Sequence, residues 1–220
     1  MPRLEADAVL VGPEAPRDCP ICPRLVAYRA ANAAGNPDWF NGAVPSFGDE
    51  SARLLVAGLA PGRTGANRTG RPFTGDHAGY LLYATLKKTG FAVGEFDKDG
   101  RDDLRLVDCM ITNAVRCAPP GNKPETIEEA SCRPFLQARL AALPRLKVIV
   151  TLGDVSRRNV LRALGLKASA GIAGHGTEFP AGPYTVLNSY HCSRLNTNTG
   201  RLTPEMFEAV FARARELIGK

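Results

Sequence analysis

The chain has no apolar run long enough to cross a bilayer, and its first residues do not resemble a secretory signal. A membrane-spanning helix needs about 20 consecutive apolar residues, and residues 1–5 read MPRLE rather than a basic segment followed by an apolar one. We therefore expect a cytoplasmic protein without membrane association. Disulfides are rare in that compartment, so the six cysteines need another interpretation.

Acidic residues are fewer than basic ones, and this balance indicates what kind of molecule the protein binds. The 28 Lys and Arg against 22 Asp and Glu give a formal net charge of +6. This balance favours a polyanionic partner, although an ordinary basic enzyme fits it equally well. A length of 220 residues is typical of one domain with a substantial core. We expect residues 1–18 to be a poorly ordered lead-in and residues 19–220 to form a single domain.

Four short apolar runs alternate with helical patterns along the chain. This alternation predicts an α/β fold, in which a four-stranded parallel sheet is flanked by helices on both faces. Asp76 and Gly90 occupy the positions of an N-cap and a C′ glycine. The predicted strands are 53–58, 104–112, 147–152 and 184–190; the predicted helices are 77–89, 126–143 with a break at Pro134, 154–164 and one that begins at Thr203; residues 165–182 and 191–202 are predicted loops.

Polar or glycine-rich segments follow three of these strands. Residues 58–61 (GLAP) follow the first strand, Asn113 the second and His191 the fourth. In parallel sheets ligands bind at the carboxyl ends of the strands, so we predict that these segments form one site. Together with its continuation to Asp76, the first segment contains five glycines and three arginines, a composition that allows close backbone approach and suits phosphate.

Four of the cysteines occupy turn-like settings that suit metal binding. Cys19 and Cys22 are separated by two residues, and Cys117 and Cys132 by fourteen. Four thiolates can hold a structural zinc ion or an iron–sulfur cluster, and spacing alone leaves both open. Cys109 lies within a predicted strand and is interpreted as a core residue.

Taken together, the motifs resemble the uracil-DNA glycosylases, and specifically the type B, or family 5, branch of bacteria and archaea. The similarity extends from Cys19 to the last helix. The motifs that carry it are GLAPG (58–62), NRTGRPFTGD (67–76), VRCAPP (115–120), NKP (122–124) and the segment 189–194.

The resemblance implies the four-stranded parallel fold, a monomer that binds DNA in the nucleoid, and base-excision repair. The activity would be hydrolysis of uracil from DNA, with tolerance for hypoxanthine and xanthine. It also implies a [4Fe–4S] cluster of structural role. The implied ligands are Cys19, Cys22, Cys117 and Cys132.

The resemblance and the residue chemistry together suggest roles in catalysis and base binding. Asp76 would position the attacking water, in addition to capping a helix, and His191 would donate to uracil O2. Phe73 would stack on an extruded base. The amide of Asn113 matches uracil O4 and N3–H and would reject cytosine. The residues assigned to base binding are Gly58, Ala60, Phe73 and Asn113.

Further residues are assigned to the DNA backbone and the minor groove. Arg68, Arg71 and Arg194 would bind phosphates, and Ser193 and Leu195 would enter the minor groove, with Leu195 as a wedge. The two remaining histidines, at positions 77 and 175, are interpreted as surface or loop residues. No lysine of the motifs lies where it could attack C1′ of the sugar, which predicts a glycosylase without a lyase step.

Three other functions remain open from the sequence alone. The first is a glycosylase of the same superfamily directed chiefly at other deaminated bases. The second is a non-catalytic iron–sulfur protein that binds DNA, in which a change at Asp76 would have no effect. The third is a nucleotide-binding protein stabilised by zinc.

Overall fold

The computed structural model describes residues 12–219. Its strands are β1 Phe47–Gly48, β2 Leu54–Gly58, β3 Ala92–Val93, β4 Arg105–Leu106, β5 Cys109–Asn113, β6 Val148–Leu152, β7 Glu178–Ala181 and β8 Tyr184–Ser189. Its α-helices are α1 Pro23–Gly35, α2 Ala66–Thr69, α3 His77–Lys88, α4 Thr126–Ala141, α5 Asp154–Ala163, α6 Arg194–Asn198 and α7 Pro204–Gly219. No helix of residues 12–219 combines the length and apolar character that crossing a membrane requires.

The predicted four-stranded parallel sheet is confirmed, with an antiparallel strand added at each edge. The strand order is β1-β5-β2-β6-β8-β7, and the four central strands are parallel. The edge strands β1 and β7 are antiparallel to their neighbours. The sequence analysis missed β7 because it contains Pro180, which has no N–H to donate and is tolerated only at a sheet edge.

Helices cover both faces of the sheet, as predicted. Along β2, Leu54 and Val56 pack with residues of α3 and α7, whereas Leu55 and Ala57 pack with residues of α4 and α5. Adjacent side chains of a strand point to opposite faces, so a fully apolar strand fills two cores at once. Burying each Leu or Val side chain contributes about 1.5–3 kcal/mol.

Two predicted elements differ from the structure. The strand predicted at 104–112 is divided between β4 and β5, because Asp108 adopts a φ of +54° and its carboxylate accepts hydrogen bonds from the backbone and side chain of Arg53. The break predicted at Pro134 does not occur, since α4 continues through it. Buried Cys132 and Phe135 anchor the helix on both sides of this exposed proline, and their packing outweighs the lost hydrogen bond.

The lead-in is better packed than predicted over the part that the structure describes. Glu14 forms an ion pair with Arg116 at 3.2 Å and a second one with Arg139. Both guanidinium groups are almost fully buried, and a buried cation requires a paired charge. The expectation of poor order is therefore wrong for residues 13–15; residues 1–11 lie outside the described residues.

Candidate active site

A cavity of about 630 Å³ opens at the carboxyl ends of β2, β5 and β8. It collects side chains from four separate loops of the sequence. Seven of the residues to which the sequence analysis assigned roles line it, namely Ala60, Phe73, Asp76, Asn113, His191, Ser193 and Arg194. The parallel register brings these loops together, since Gly58 of β2 lies directly opposite Asn113 of β5.

Gly58 packs directly against the amide of Asn113 and the aromatic ring of Phe73. A Cβ atom added to Gly58 would lie 2.4 Å from Oδ1 of Asn113 and 2.8 Å from Cζ of Phe73, so any side chain here would displace both groups. Phe73 has a φ of +53°, which is rare for a bulky residue. The Tyr83 hydroxyl donates to the adjacent Pro72 carbonyl at 2.6 Å and stabilises this turn.

Asp76 serves as an N-cap and also faces the cavity. Its Oδ1 accepts a hydrogen bond from the Gly79 N–H at 3.3 Å, which stabilises the start of α3. Its Oδ2 lies against the loop, 3.4 Å and 2.6 Å from the positions that Cβ atoms on Gly62 and Gly65 would take. Burial raises the pKa of Asp76, and the Gly79 N–H and nearby His191 partly oppose that rise.

His191 directs its imidazole into the same space. Its carbonyl accepts a hydrogen bond from Asn196 Nδ2 at 2.8 Å, which holds the loop after β8. The ring lies 6.0 Å from the ring of Phe73, at an interplanar angle of 30°. Burial lowers the pKa of His191, although the Asp76 carboxylate opposes this. Within residues 12–219 no hydrogen bond to its ring nitrogens is formed, so the imidazole is available to a ligand.

Two of the predicted DNA-binding arginines lie elsewhere. Arg71 donates to the carboxylate of Asp102 at 2.7 Å, its side chain is 13% exposed, and it does not line the cavity. Arg68 forms an ion pair with Asp99 at 2.8 Å. The predicted phosphate contact is wrong for Arg71, and Arg68 is committed to a carboxylate. The sequence shows the arginines but not that the acidic segment 97–102 folds back over them.

Other residues line the cavity that the sequence analysis did not assign. Arg63 is exposed and stacks on Trp39, so it is a cation at the rim. Asn122, with a φ of +56°, follows the double proline at 119–120, a turn signal that could have indicated its position. His77 also lines the cavity, where it is half-buried at the first position of α3, a place beside the site that the sequence analysis did not predict.

The segment after His191 forms a short helix rather than a loop. The hydroxyl of Ser193 accepts a hydrogen bond from the Asn196 N–H and caps α6. Arg194 is exposed and lines the cavity. Leu195 is 72% exposed and directly follows Arg194, which lines the cavity. The arrangement places one cation and one apolar side chain beside the candidate site.

Sequence similarity places the chain in a known family. A sequence model described as the Uracil DNA glycosylase superfamily matches residues 45–215. The chain belongs to the uracil-DNA glycosylase superfamily. It is 46% identical over 208 residues to a type-5 uracil-DNA glycosylase of Thermus thermophilus, covering 91% of this chain and 94% of that protein. It is 42% identical over 212 residues to a type-5 enzyme of Mycobacterium bovis, covering 91% and 78%.

A third relative comes from an archaeon. A type-5 uracil-DNA glycosylase of Pyrobaculum aerophilum is 41% identical over 202 residues, which cover 90% of this chain and 88% of that protein. The resemblance to the type B branch is therefore confirmed by relatives from both bacteria and archaea.

The four cysteines that the resemblance implies as cluster ligands line one small cavity, which is separate from the candidate active site. They are Cys19, Cys22, Cys117 and Cys132. Burial raises the pKa of Cys117 to about 11 and that of Cys132 to about 12, and neighbouring cysteines add to both shifts. Cys109 is fully buried between the sheet and its helices, which confirms its interpretation as a core residue.

Two N–H groups point at the sulfurs of this cysteine cavity. Arg29 Nη1 lies 3.6 Å from Sγ of Cys117, and the Arg116 N–H lies 3.3 Å from Sγ of Cys132. Such donors stabilise thiolate sulfur. In the described part of the chain, no three His, Cys, Asp or Glu side chains are arranged to hold a single metal ion.

Gly58→Ala should reduce uracil excision by this superfamily member about a hundredfold or more, because the new methyl displaces the Asn113 amide and the Phe73 ring together. Overpacking of this kind costs about 1–3 kcal/mol of stability. Single-turnover uracil release and thermal unfolding measure the two effects. Gly35→Ala is the matched control, since a Cβ at Gly35 would meet nothing within 4 Å. Equal activity of both variants would contradict the role of Gly58.

Proposed function

We propose that this chain is a uracil-DNA glycosylase, which hydrolyses the N-glycosidic bond of uracil in DNA and leaves an abasic site for base-excision repair. The observation that carries the proposal is the single cavity in which an aromatic ring, an amide, an imidazole and a carboxylate meet. The named relatives support the same activity.

Recognition begins with extrusion of the base from the duplex, because a base in the stack hides its glycosidic bond. Phe73 supplies a face on which the extruded base stacks. The Asn113 amide is buried against Gly58, so it presents a fixed donor and acceptor to O4 and N3–H of uracil. Cytosine presents the opposite pattern at these positions, and a fixed amide therefore rejects it.

Bond cleavage needs stabilisation of both fragments. As the glycosidic bond lengthens, negative charge collects on the base and positive charge on the sugar. A neutral His191 donates a hydrogen bond to O2 of the departing base. The Asp76 carboxylate holds the attacking water and stabilises the cationic sugar, and the raised pKa of Asp76 makes it a better proton acceptor than an ordinary aspartate.

The surface around the cavity suits a DNA backbone. Arg63 and Arg194 both line the cavity and are exposed, so their guanidinium groups can reach phosphates. Leu195 lies next to Arg194 on α6 and would fill the space that the extruded base leaves. The formal net charge of +6 adds a general attraction for DNA, which should weaken as salt is raised.

The deciding experiment is incubation with an oligonucleotide that carries one uracil, followed by alkaline cleavage. Strand breakage after alkali, and none before it, is expected of a glycosylase without lyase activity. Among the described residues, no lysine lines the cavity to form a covalent adduct with the sugar. Binding without release of free base, unchanged in Asp76→Ala, would instead indicate the non-catalytic DNA-binding protein.

The base range should extend to hypoxanthine and xanthine. Hypoxanthine carries a carbonyl next to an N–H, the same pattern as uracil O4 and N3–H, and adenine carries the reverse. A cavity of about 630 Å³ is within the size range that accommodates molecules larger than a pyrimidine. Duplexes that contain uracil, hypoxanthine, xanthine or adenine test this range. Release of uracil alone would limit the enzyme to that base.

The cofactor that best fits the cysteine cavity is a [4Fe–4S] cluster. A zinc ion needs all four sulfurs within about 2.3 Å of one point, whereas a cluster distributes them over four iron atoms. The four cysteines line one small cavity, and the resemblance to the type B branch favours the cluster over a zinc ion there. Cys19, Cys22, Cys117 and Cys132 would hold it, and its contribution would be to fix residues 19–22 against α4.

Purified protein should therefore be brown and contain about four iron and four sulfide ions per chain. Cys132→Ala should lose the colour and most of the iron and should unfold at a lower temperature. Cys109→Ala is the control, because Cys109 is equally buried but lies outside the cysteine cavity, and it should retain full iron. Zinc without iron in the wild-type protein would contradict the assignment.

The resemblance to the type B branch implies that the enzyme acts as a monomer. Sedimentation analysis with and without DNA tests this state. Because its proposed substrate is DNA, we expect the enzyme in the cytoplasm, associated with the nucleoid while it is bound to DNA.

A further inference from the structure

A hydrogen bond connects the first turn of α3 to α6. His77 Nε2 lies 3.2 Å from Oγ1 of Thr197, across 120 residues of sequence. His77 directly follows Asp76, and both residues line the cavity. Thr197 belongs to the helix that carries Arg194 and Leu195. The bond therefore joins the carboxylate side of the site to the helix proposed to enter DNA.

The direction of this hydrogen bond follows from the other partners of Thr197. Its hydroxyl lies 3.2 Å from the carbonyl oxygens of Ser193 and Arg194. Carbonyls only accept hydrogen bonds, and a hydroxyl has one proton, so that proton is directed back into the helix. Thr197 therefore accepts from His77, whose Nε2 must carry the hydrogen.

The position of α6 depends on contacts of this kind. It has five residues, and a helix of that length is not stable by itself. Two side-chain hydrogen bonds attach it to the site within the described residues: the one from His77 to Thr197 and the one from Asn196 Nδ2 to the His191 carbonyl. Each runs from α6 to a residue that lines the cavity.

We propose that His77 is a positioning residue that couples DNA engagement by α6 to the carboxylate of Asp76. The inference rests on the proposed function and deepens it. When Leu195 occupies the vacated stack, the bond to Thr197 holds the start of α3 and α6 in one arrangement, so the wedge and the water-positioning group act on the same nucleotide. The contribution of His77 to the pKa of Asp76 agrees with this proximity.

The coupling should matter most for duplex DNA, because only in a duplex does the extruded base leave a gap in the stack that a wedge must fill. Thr197→Val should lower kcat/KM for uracil in a duplex about three- to tenfold, the effect of one ordinary hydrogen bond. It should change kcat/KM for a single-stranded oligonucleotide by about twofold or less. Thr197→Ser retains the hydroxyl and should restore the duplex rate.

Thr199 provides the matched control. Its hydroxyl donates to the Leu195 carbonyl at 2.7 Å, which is the same type of intrahelical bond, but it does not contact His77. Thr199→Val should keep the wild-type rates on both substrates. His77→Phe should reproduce the duplex loss of Thr197→Val, and the double variant should lose no more than either single variant, because both changes remove the same bond.

Several outcomes would overturn the inference. They are a Thr197→Val enzyme that equals Thr199→Val on duplex DNA, a loss of equal size on single-stranded DNA, or additive losses in the double variant. Thermal unfolding of each variant shows whether a loss reflects folding instead. A wild-type chain that releases uracil from neither substrate would refute the proposed function itself, which is a separate and recognisable result.

Discussion

Asp76→Asn should abolish most uracil excision without lowering the stability of the fold. The substitution preserves size and the hydrogen-bond acceptor for the Gly79 N–H, and Asn is as good an N-cap as Asp. What it removes is the carboxylate that orients water and stabilises the cationic sugar. Groups of this kind contribute about 10²- to 10⁴-fold to rate, so we expect a loss in that range in single-turnover uracil release.

The stability of Asp76→Asn should equal or exceed that of the wild type at neutral pH. Burial raises the pKa of Asp76 in the folded protein, so the folded state binds a proton more readily than the unfolded state. The charged carboxylate is therefore destabilising at neutral pH, and the penalty disappears as pH falls through the raised pKa. Asn carries no charge and avoids the penalty, and the two proteins should converge in melting temperature under acidic conditions.

Asp76→Ala is the companion variant that separates the two roles. It removes the cap as well as the carboxylate and should cost about 0.5–2 kcal/mol of stability, whereas its rate should match that of Asp76→Asn. If Asp76→Asn kept full activity while Asp76→Ala lost stability, Asp76 would be a cap and nothing more. The comparison therefore tests the water-positioning role independently of folding.

The sequence predicted those features that depend on neighbouring residues or on the alternation of strands and helices. The cap at Asp76 precedes an apolar-periodic segment, and Asn113 and His191 follow strands. Their meeting in one cavity follows from the parallel arrangement of β2, β5 and β8, which an α/β alternation already implies. The fold and the centre of the site could therefore be derived before any coordinates.

The errors concern contacts between segments that are distant in sequence. Arg71 and His77 lie in the same stretch, yet Arg71 is held by Asp102 and His77 faces the cavity. No local pattern distinguishes them, because the path of the segment 97–102 decides which side chain is covered. Pro134 shows the same limit, since the packing of its neighbours overrides a local rule.

His191→Gln should lower the rate of uracil excision about a hundredfold. An oxygen that gains negative charge in the transition state is stabilised by a donor already in place, and one such donor contributes about 3 kcal/mol. Gln carries an N–H group but on a flexible chain, so it cannot hold the donor where the imidazole does. The effect should appear in the single-turnover rate rather than in the affinity for uracil-containing DNA.

The pH dependence identifies the form of His191 that acts. Burial lowers its pKa, so the ring is neutral at and above neutral pH, and a neutral donor does not titrate there. The ratio of wild-type to His191→Gln rates should stay constant between about pH 7 and 9. A ratio that fell about tenfold per pH unit would indicate an imidazolium instead.

His175→Gln is the control for this experiment. His175 stacks on Tyr190 and its Nδ1 accepts a hydrogen bond from the Tyr190 N–H at 3.2 Å, but it does not line the cavity. Its pKa is also lowered by burial, so it matches His191 in titration while differing in position. Full activity in His175→Gln, together with a large loss in His191→Gln, would assign the effect to the imidazole of His191.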